Sequence, residues 1–81
     1  MKNILSVMIN SPEKVIWQGT AYSVSSKNSE GPFDVLPHHA NFLTIIEKDP
    51  IIIRTGGKVV QFSFPISLMY AHDNYVYAYT L

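Results

Sequence analysis

Residues 60–68, VQFSFPISL, decide the fold, because apolar side chains alternate in them with small or polar ones. Successive side chains of an extended chain point to opposite faces, so this period of two predicts a half-buried strand or two strands in line. The apolar members are predicted to share one side of the chain: Val60, Phe62, Phe64, Ile66 and Leu68. Pro65 has no backbone N–H, so we expect it at a sheet edge, at a bulge, or where the chain passes between sheets.

Turn signals on either side of this stretch extend the β pattern to the whole chain. Gly56-Gly57 predicts a hairpin with a type I′ turn, in which both central residues take a positive φ. Asp73-Asn74 predicts a second hairpin. Such signals recur about every 8–12 residues, which is typical of an antiparallel sandwich or barrel. No helical period persists for ~11 residues, so the sequence predicts one all-β domain over residues 1–81.

Composition and charge narrow the class of protein. The 81 residues are 47% hydrophobic and 12% aromatic, which suits one densely packed core. Six basic and six acidic residues cancel, which disfavours nucleic acid as a partner. No apolar run reaches the ~18 residues that a membrane span needs. The absence of cysteine is compatible with a reducing compartment but does not require one.

The residue types that could form a reactive site are present, but they do not have the spacing that such a site needs. His38 and His39 are adjacent, so in an extended chain their rings point apart, and the scattered acidic residues supply no ligand set for zinc. Thr55-Gly56-Gly57-Lys58 superficially resembles a phosphate-binding loop, but a hairpin turn explains it. We therefore predict no catalytic residue, no metal site and no cofactor.

A row of tyrosines near the end of the sequence leaves two interpretations open. Tyr75, Tyr77 and Tyr79 lie on one face of a predicted strand, and Val76 and Ala78 lie on the other. If the small residues face the interior, the tyrosines form an exposed stripe, which would mark a protein interface. Otherwise the tyrosines belong to the core. Stacking of single-stranded nucleic acid on the stripe is a third option, weakened by the lack of a basic groove.

Three motifs occur in a fixed order, and the middle one is the most specific. They are SPEKVIWQG at residues 11–19, EGPFDVLPHHANFLT at residues 30–44, and the Gly-Gly hairpin at residues 56–57. Taken by itself, the middle segment predicts a stiff surface loop shaped by Gly31 and Pro37. Together, the motifs resemble the N-terminal β-sandwich domain of the ε subunit of bacterial F-type ATP synthases, the δ subunit in mitochondria. The resemblance covers essentially the whole chain.

The resemblance implies both a fold and a function. The fold is a sandwich of two antiparallel sheets with about ten short strands. The function is that of a non-catalytic rotor subunit of the central stalk, which binds the γ subunit and rests on the c ring, so that ion translocation is coupled to ATP synthesis. Such a protein is associated with a membrane only through the complex, in a bacterium on the cytoplasmic face of the inner (plasma) membrane.

The resemblance also implies two sets of contact residues. The residues expected to face the c ring are Ser11, Glu30, Gly31, Pro32, Phe33, His38, His39 and Thr44. The residues expected on the γ-binding surface are Tyr75, Tyr77 and Tyr79. Pro32 departs from the family, which usually has an acidic residue there, so a charge contact to the ring at this position is in doubt.

The end of the sequence is a second departure. Typical family members continue into a C-terminal helical hairpin that inhibits ATP hydrolysis, whereas this sequence ends at Leu81. It is therefore expected to couple without inhibiting in that way, and its length fits either a naturally short subunit or a fragment. The alternative function is that of a stand-alone β-sandwich adaptor that binds an unrelated protein through the tyrosine stripe.

Overall fold

The computed structural model describes residues 3–81, and this range folds into strands without a helix. The all-β prediction is confirmed, with nine strands instead of about ten. The strands are β1 (Leu5–Asn10), β2 (Val15–Ala21), β3 (Ser23–Asn28), β4 (Gly31–Val35), β5 (Phe42–Ile46), β6 (Ile51–Arg54), β7 (Val59–Phe62), β8 (Ser67–His72) and β9 (Tyr75–Thr80).

Two sheets pack into a sandwich, as the resemblance implies. The five-stranded sheet has the order β2-β1-β9-β8-β5, and the four-stranded sheet has the order β4-β3-β6-β7. Every pairing is antiparallel except that of β1 with β9, which is parallel. The predicted antiparallel sandwich is confirmed, with this one parallel pair. The direction of β9 is set by its hairpin with β8. Because β1 and β9 are not joined by a short loop, the sequence gives no turn signal for their pairing.

The core lies between the sheets and is built from alternate residues of the central strands. Each strand of the five-stranded sheet turns every second side chain inward, which is the expected consequence of the period of two. The largest fully buried side chains are Leu5, Ile9, Val24, Val35, Ile46, Ile51, Ile53, Met69 and Val76. Residues from both sheets thus share one hydrophobic core, on which a domain of this size depends for its stability.

Residues 60–68 cross from one sheet to the other. β7 ends at Phe62 in the four-stranded sheet, β8 begins at Ser67 in the five-stranded sheet, and Pro65 lies between them. The expected place of Pro65 between sheets is therefore confirmed. The prediction that the apolar side chains of residues 60–68 share one side of the chain is only partly confirmed. The side chains before the crossing pack against the core, whereas Ile66 and Leu68 are exposed, because the crossing turns the chain over.

Both predicted hairpins form, but by different turns. Asp73 and Asn74 have φ values of 48° and 65°, as a type I′ turn requires. Gly56 and Gly57 do not take left-handed φ values, so the type I′ prediction is wrong there. Their loop is closed instead by Thr55, whose Oγ1 donates to the Lys58 carbonyl (2.9 Å) and accepts from the Lys58 N–H (3.1 Å).

Gly19 is needed for the packing of Trp17 on edge strand β2. A Cβ atom built on Gly19 would lie 2.9 Å from Cη2 of Trp17, closer than van der Waals contact allows. We expect Gly19→Ala to lower the free energy of unfolding by about 1–2 kcal/mol, since the indole ring must leave its place against the core. Urea denaturation measures the change. Gly57→Ala is the control, because no heavy atom lies within 4 Å of its built Cβ; equal losses in both variants would contradict this explanation.

Candidate protein interface

The tyrosines of β9 lie on the outer face of the five-stranded sheet. Val76 and Ala78 are buried, whereas Tyr75 and Tyr79 are 48% and 50% exposed and Tyr77 lies half-buried between them. The three rings form a stacked row, with centroids 6.0 Å and 6.5 Å apart. Of the two interpretations that the sequence leaves open, the outward stripe is therefore the correct one.

The apolar surface continues from β9 across β8 to β5. In the register of the sheet, Tyr77 is opposite Tyr70, which is in turn opposite Leu43. Tyr79 is opposite Leu68, and Leu68 is opposite Ile45. Leu43 and Ile45 are 63% and 55% exposed. We call this surface the tyrosine face; its members are Leu43, Ile45, Leu68, Tyr70, Tyr75, Tyr77 and Tyr79.

Sequence reasoning found only the β9 part of the tyrosine face. The other members lie in β5 and in β8, where inner-facing and outer-facing residues alike are largely apolar. A signal was present, because a strand that is apolar on both faces must expose one of them when only one side packs on a core. A contiguous exposed apolar area of this kind usually marks a binding surface.

The same face of the sheet becomes polar beyond the tyrosines. The outward positions next to β9, on β1 and β2, include Ser6, Gln18 and Thr20, with Met8 opposite Tyr77. At the end of β8, the His72 ring stacks on Tyr70 (5.8 Å between centroids), and its Nε2 lies 3.0 Å from the Asp73 carboxylate. The tyrosine face thus has a polar border on these sides, as interfaces with an apolar centre do.

The two histidines of the EGPFDVLPHHA segment lie in a tight turn after β4. Pro37 and His38 are its central residues, His38 has a φ of 67°, and the His39 N–H donates to the Leu36 carbonyl (3.1 Å). This is a type II turn. The His38 N–H donates to Oδ1 of Asn74 (2.7 Å), which ties the turn to the β8–β9 hairpin.

The histidine rings point in different directions. Nδ1 of His39 donates to the Ala40 carbonyl (2.7 Å), and the ring meets Phe42 edge-on (5.8 Å). Nε2 of His38 lies 3.4 Å from Oδ1 of Asn3. Within residues 3–81, no group of three or more histidine and acidic side chains is arranged to hold a metal ion. The geometry gives these rings roles in shaping the turn.

The first part of the same segment is a strand and not the surface loop predicted for it. Gly31–Val35 pairs with β3, and Gly31 has a φ of 120°, which glycine adopts readily. Pro32 is exposed on this edge strand, where its missing N–H costs no ladder bond. Phe33 points the other way and packs against Phe42 (5.0 Å). The strand forms because Phe33 and Val35 alternate toward the core.

Asn28 joins two of the residues expected to face the c ring. Its Oδ1 accepts from the Glu30 N–H (2.9 Å), and its Nδ2 donates to Oγ1 of Thr44 (3.0 Å). The β3–β4 turn is thereby held against edge strand β5. Glu30 and Thr44 therefore belong to one surface, together with the start of β4.

Ser11 lies apart from the other residues predicted to meet the c ring. It begins the β1–β2 turn, where its N–H donates to the Lys14 carbonyl (2.9 Å). The histidine turn is tied to Asn74, whose carbonyl accepts from Ser6 at the other end of β1 (2.8 Å). About 17 Å of strand separates the two ends of β1. Ser11 and the histidine turn therefore lie toward opposite ends of β1.

A polar network on the four-stranded sheet was also not predicted from the sequence. Nη1 of Arg54 donates to Oγ of Ser25 (2.7 Å), and Ser25 donates to the Asp34 carboxylate. The network links β6, β3 and β4, and it satisfies a serine that is almost fully buried. Ser25 bridges Arg54 and Asp34, so each member has a partner within the network and its contribution is to stability.

The chain is a small β-sandwich with one exposed apolar and aromatic face. A family model described as the β-sandwich domain of the ATP synthase delta/epsilon chain matches residues 4–74. The chain belongs to this family. No helix that could cross a membrane occurs in residues 3–81.

Curated relatives agree in name but differ in length. The ATP synthase epsilon chain of Micrococcus luteus is 33% identical over 78 residues, a match that covers 94% of this chain and 86% of the relative. That of Leptospira borgpetersenii is 33% identical over 72 residues and covers 89% of this chain but 57% of the relative. The chain thus spans most of one relative and little more than half of the other.

Solved structures with the same fold come from mitochondrial ATP synthases. A chain of the Euglena gracilis enzyme, in a structure of OSCP, F1 and the c ring, matches with a TM-score of 0.88 over 99% of this chain and 52% of that chain, at 17% identity. A chain of the Tetrahymena thermophila central stalk and c ring matches with a TM-score of 0.79, at 16% identity, over 95% of this chain and 63% of that one. These likenesses concern the fold.

Proposed function

We propose that this chain is a non-catalytic subunit of the central stalk of an F-type ATP synthase and that it binds the γ subunit through the tyrosine face. The observation that carries the proposal is the tyrosine face itself, a contiguous apolar and aromatic surface on a chain of this family. Tyrosine combines a large, rigid contact area with a hydroxyl that tolerates water at the edge of an interface.

The γ subunit suits this surface as a partner because the tyrosine face belongs to a hydrogen-bonded sheet. The row of stacked rings on β9 lies between β8 and β1 and is supported from below by the buried Val76 and Ala78. Such a surface changes little on binding, so little conformational entropy is lost. A rigid contact is what a subunit needs to turn with γ as one body.

The c ring contact is proposed for the surface around Glu30 and Thr44, which Asn28 holds together. Gly31 and Pro32 continue this surface into β4, where Pro32 contributes its ring but no charge, and Phe33 supports them from the core side. Glu30 supplies the exposed carboxylate next to it. In this arrangement the sandwich transmits rotation of the ring to γ, couples ion translocation to ATP synthesis, and meets the membrane only through the complex, on its cytoplasmic side in a bacterium.

Crosslinking in the assembled complex tests both contacts, and the chain has no native cysteine to interfere. Single cysteines replace Tyr75, Glu30 and Tyr22 and carry a short photo-activated crosslinker. We expect Tyr75→Cys to label γ and Glu30→Cys to label the c subunit. Tyr22 is the control, an exposed tyrosine between β2 and β3 and outside both surfaces.

The outcomes separate the proposal from the adaptor alternative. Labelling of γ from position 22 and not from position 75 would show that γ contacts a surface other than the tyrosine face. If the unmodified chain fails to co-purify with γ and with the assembled ring at micromolar concentrations, the rotor function is refuted. The exposed tyrosine face would then belong to an adaptor for another protein.

A further inference from the structure

A groove runs between the β3–β4 turn and edge strand β5, beside the tyrosine face. Its volume is about 730 Å³, and we call it the β5 groove. Leu43, Ile45 and Leu68 line its apolar part, and all three are exposed. Asn28 lines the groove from the β3–β4 turn and is held in place by its hydrogen bond to Thr44. The apolar part of the groove is therefore built on paired strands, and the β5–β6 loop completes it.

Two carboxylates give the β5 groove a negative charge. Glu47 and Asp49 line it just after β5, and the lining includes neither lysine nor arginine. In residues 3–81, neither carboxylate lies within salt-bridge distance of a cationic side chain. Neither carboxylate is thus held in an ion pair by the described part of the chain, and their charge favours a cation from a partner.

The combination of apolar lining and carboxylates selects a particular kind of side chain. Lysine and arginine have an aliphatic stem that packs on apolar surface and a cationic head that binds carboxylates. The stem would lie on Leu43, Ile45 and Leu68, and the head would reach Glu47 or Asp49. A purely apolar partner would leave the carboxylates desolvated without compensation, and a purely ionic one would leave the leucines uncovered.

We propose that the β5 groove receives a lysine or arginine from a segment of the γ subunit that continues the contact made by the tyrosine face. The inference rests on the proposed function, because Leu43, Ile45 and Leu68 belong to both the groove and the tyrosine face. Thr44 also lines the groove, so the groove borders the surface proposed for the c ring. The inference goes further in assigning the groove a charge preference and a second set of contacts. The pair of surfaces, one aromatic and one acidic, fixes the orientation of γ on the sheet.

The test is the salt dependence of binding to purified γ. The double variant Glu47→Gln with Asp49→Asn keeps the size of both side chains and removes their charge. We expect the Kd for γ to rise about tenfold at low ionic strength, with a smaller difference in high salt because the wild-type interaction is screened there. Isothermal titration calorimetry at two salt concentrations measures both effects.

A matched control removes a carboxylate elsewhere. Glu13 is exposed in the β1–β2 turn, at the opposite edge of the five-stranded sheet from β5, so Glu13→Gln should leave the Kd within about twofold of wild type. If the double variant binds γ as wild type does at both salt concentrations, the groove proposal is wrong while the proposed function stands. If wild type does not bind γ at all, the proposed function has failed. Circular dichroism confirms that each variant is folded.

Discussion

Tyr77→Ala should weaken binding of the γ subunit by roughly 30- to 1000-fold, the effect of losing an interface residue worth about 2–4 kcal/mol. Tyr77 is the middle ring of the stacked row and has Tyr75 and Tyr79 on either side. It also lies opposite Tyr70 on β8 and Met8 on β1, so its loss opens a hole at the centre of the proposed contact. Titration calorimetry with purified γ measures the change.

Two further variants make the Tyr77 result specific. Tyr77→Phe keeps the ring and should lose less than about tenfold, because only the hydroxyl is removed. Tyr22→Ala removes an exposed tyrosine outside the tyrosine face and should bind normally. A Tyr77→Ala chain that is folded and binds γ within threefold of wild type would show that the tyrosine face is not the γ contact.

Asn74→Ala should lower the free energy of unfolding by about 2 kcal/mol, which corresponds to roughly 10 °C in the midpoint of thermal unfolding. Alanine is strained at the φ of 65° that Asn74 adopts in the β8–β9 turn. It also lacks the side-chain oxygen that accepts the His38 N–H at 2.7 Å. The substitution thus weakens the hairpin and frees the histidine turn. Calorimetry or thermal denaturation followed by circular dichroism measures it.

The two causes can be separated at the same position. Asn74→Gly relieves the backbone strain but not the lost hydrogen bond, so we expect about half of the loss. Asn74→Asp keeps an oxygen acceptor and tolerates the left-handed conformation, so it should be the mildest of the three. Equal losses for alanine, glycine and aspartate would contradict this account of the turn.

The period of two and the turn residues were sufficient to predict most of the strands from the sequence, but not β4. Side chains alternate between the two faces of any sheet, so the sequence predicted two possible inward sets on β9. The structure buries one of them, Val76 and Ala78. The hairpin turn at Asp73-Asn74 was predictable because few residue pairs adopt two positive φ values. The turn type predicted for Gly56-Gly57 is wrong, since the hydroxyl of Thr55 closes that loop without left-handed glycines.

What the sequence did not reveal depends on residues far apart in the chain. The parallel pairing of β1 with β9 joins strands that are more than 60 residues apart, and no local pattern encodes it. The tyrosine face combines β5, β8 and β9, whose outward residues become neighbours only through the register of the sheet. The separation of Ser11 from the histidine turn likewise follows from the course of β1. Motif resemblance assigned the family but not this geometry.

The parallel pairing of β1 with β9 also determines how the domain resists mechanical load. β1 begins at Leu5 at one end of the sheet, and β9 ends at Thr80 at the other. A force pulling these two residues apart runs along both strands, so it shears the ladder between them and loads its hydrogen bonds together instead of breaking them one after another. The arrangement favours high resistance to unfolding under tension, which the proposed place on a rotating stalk would require.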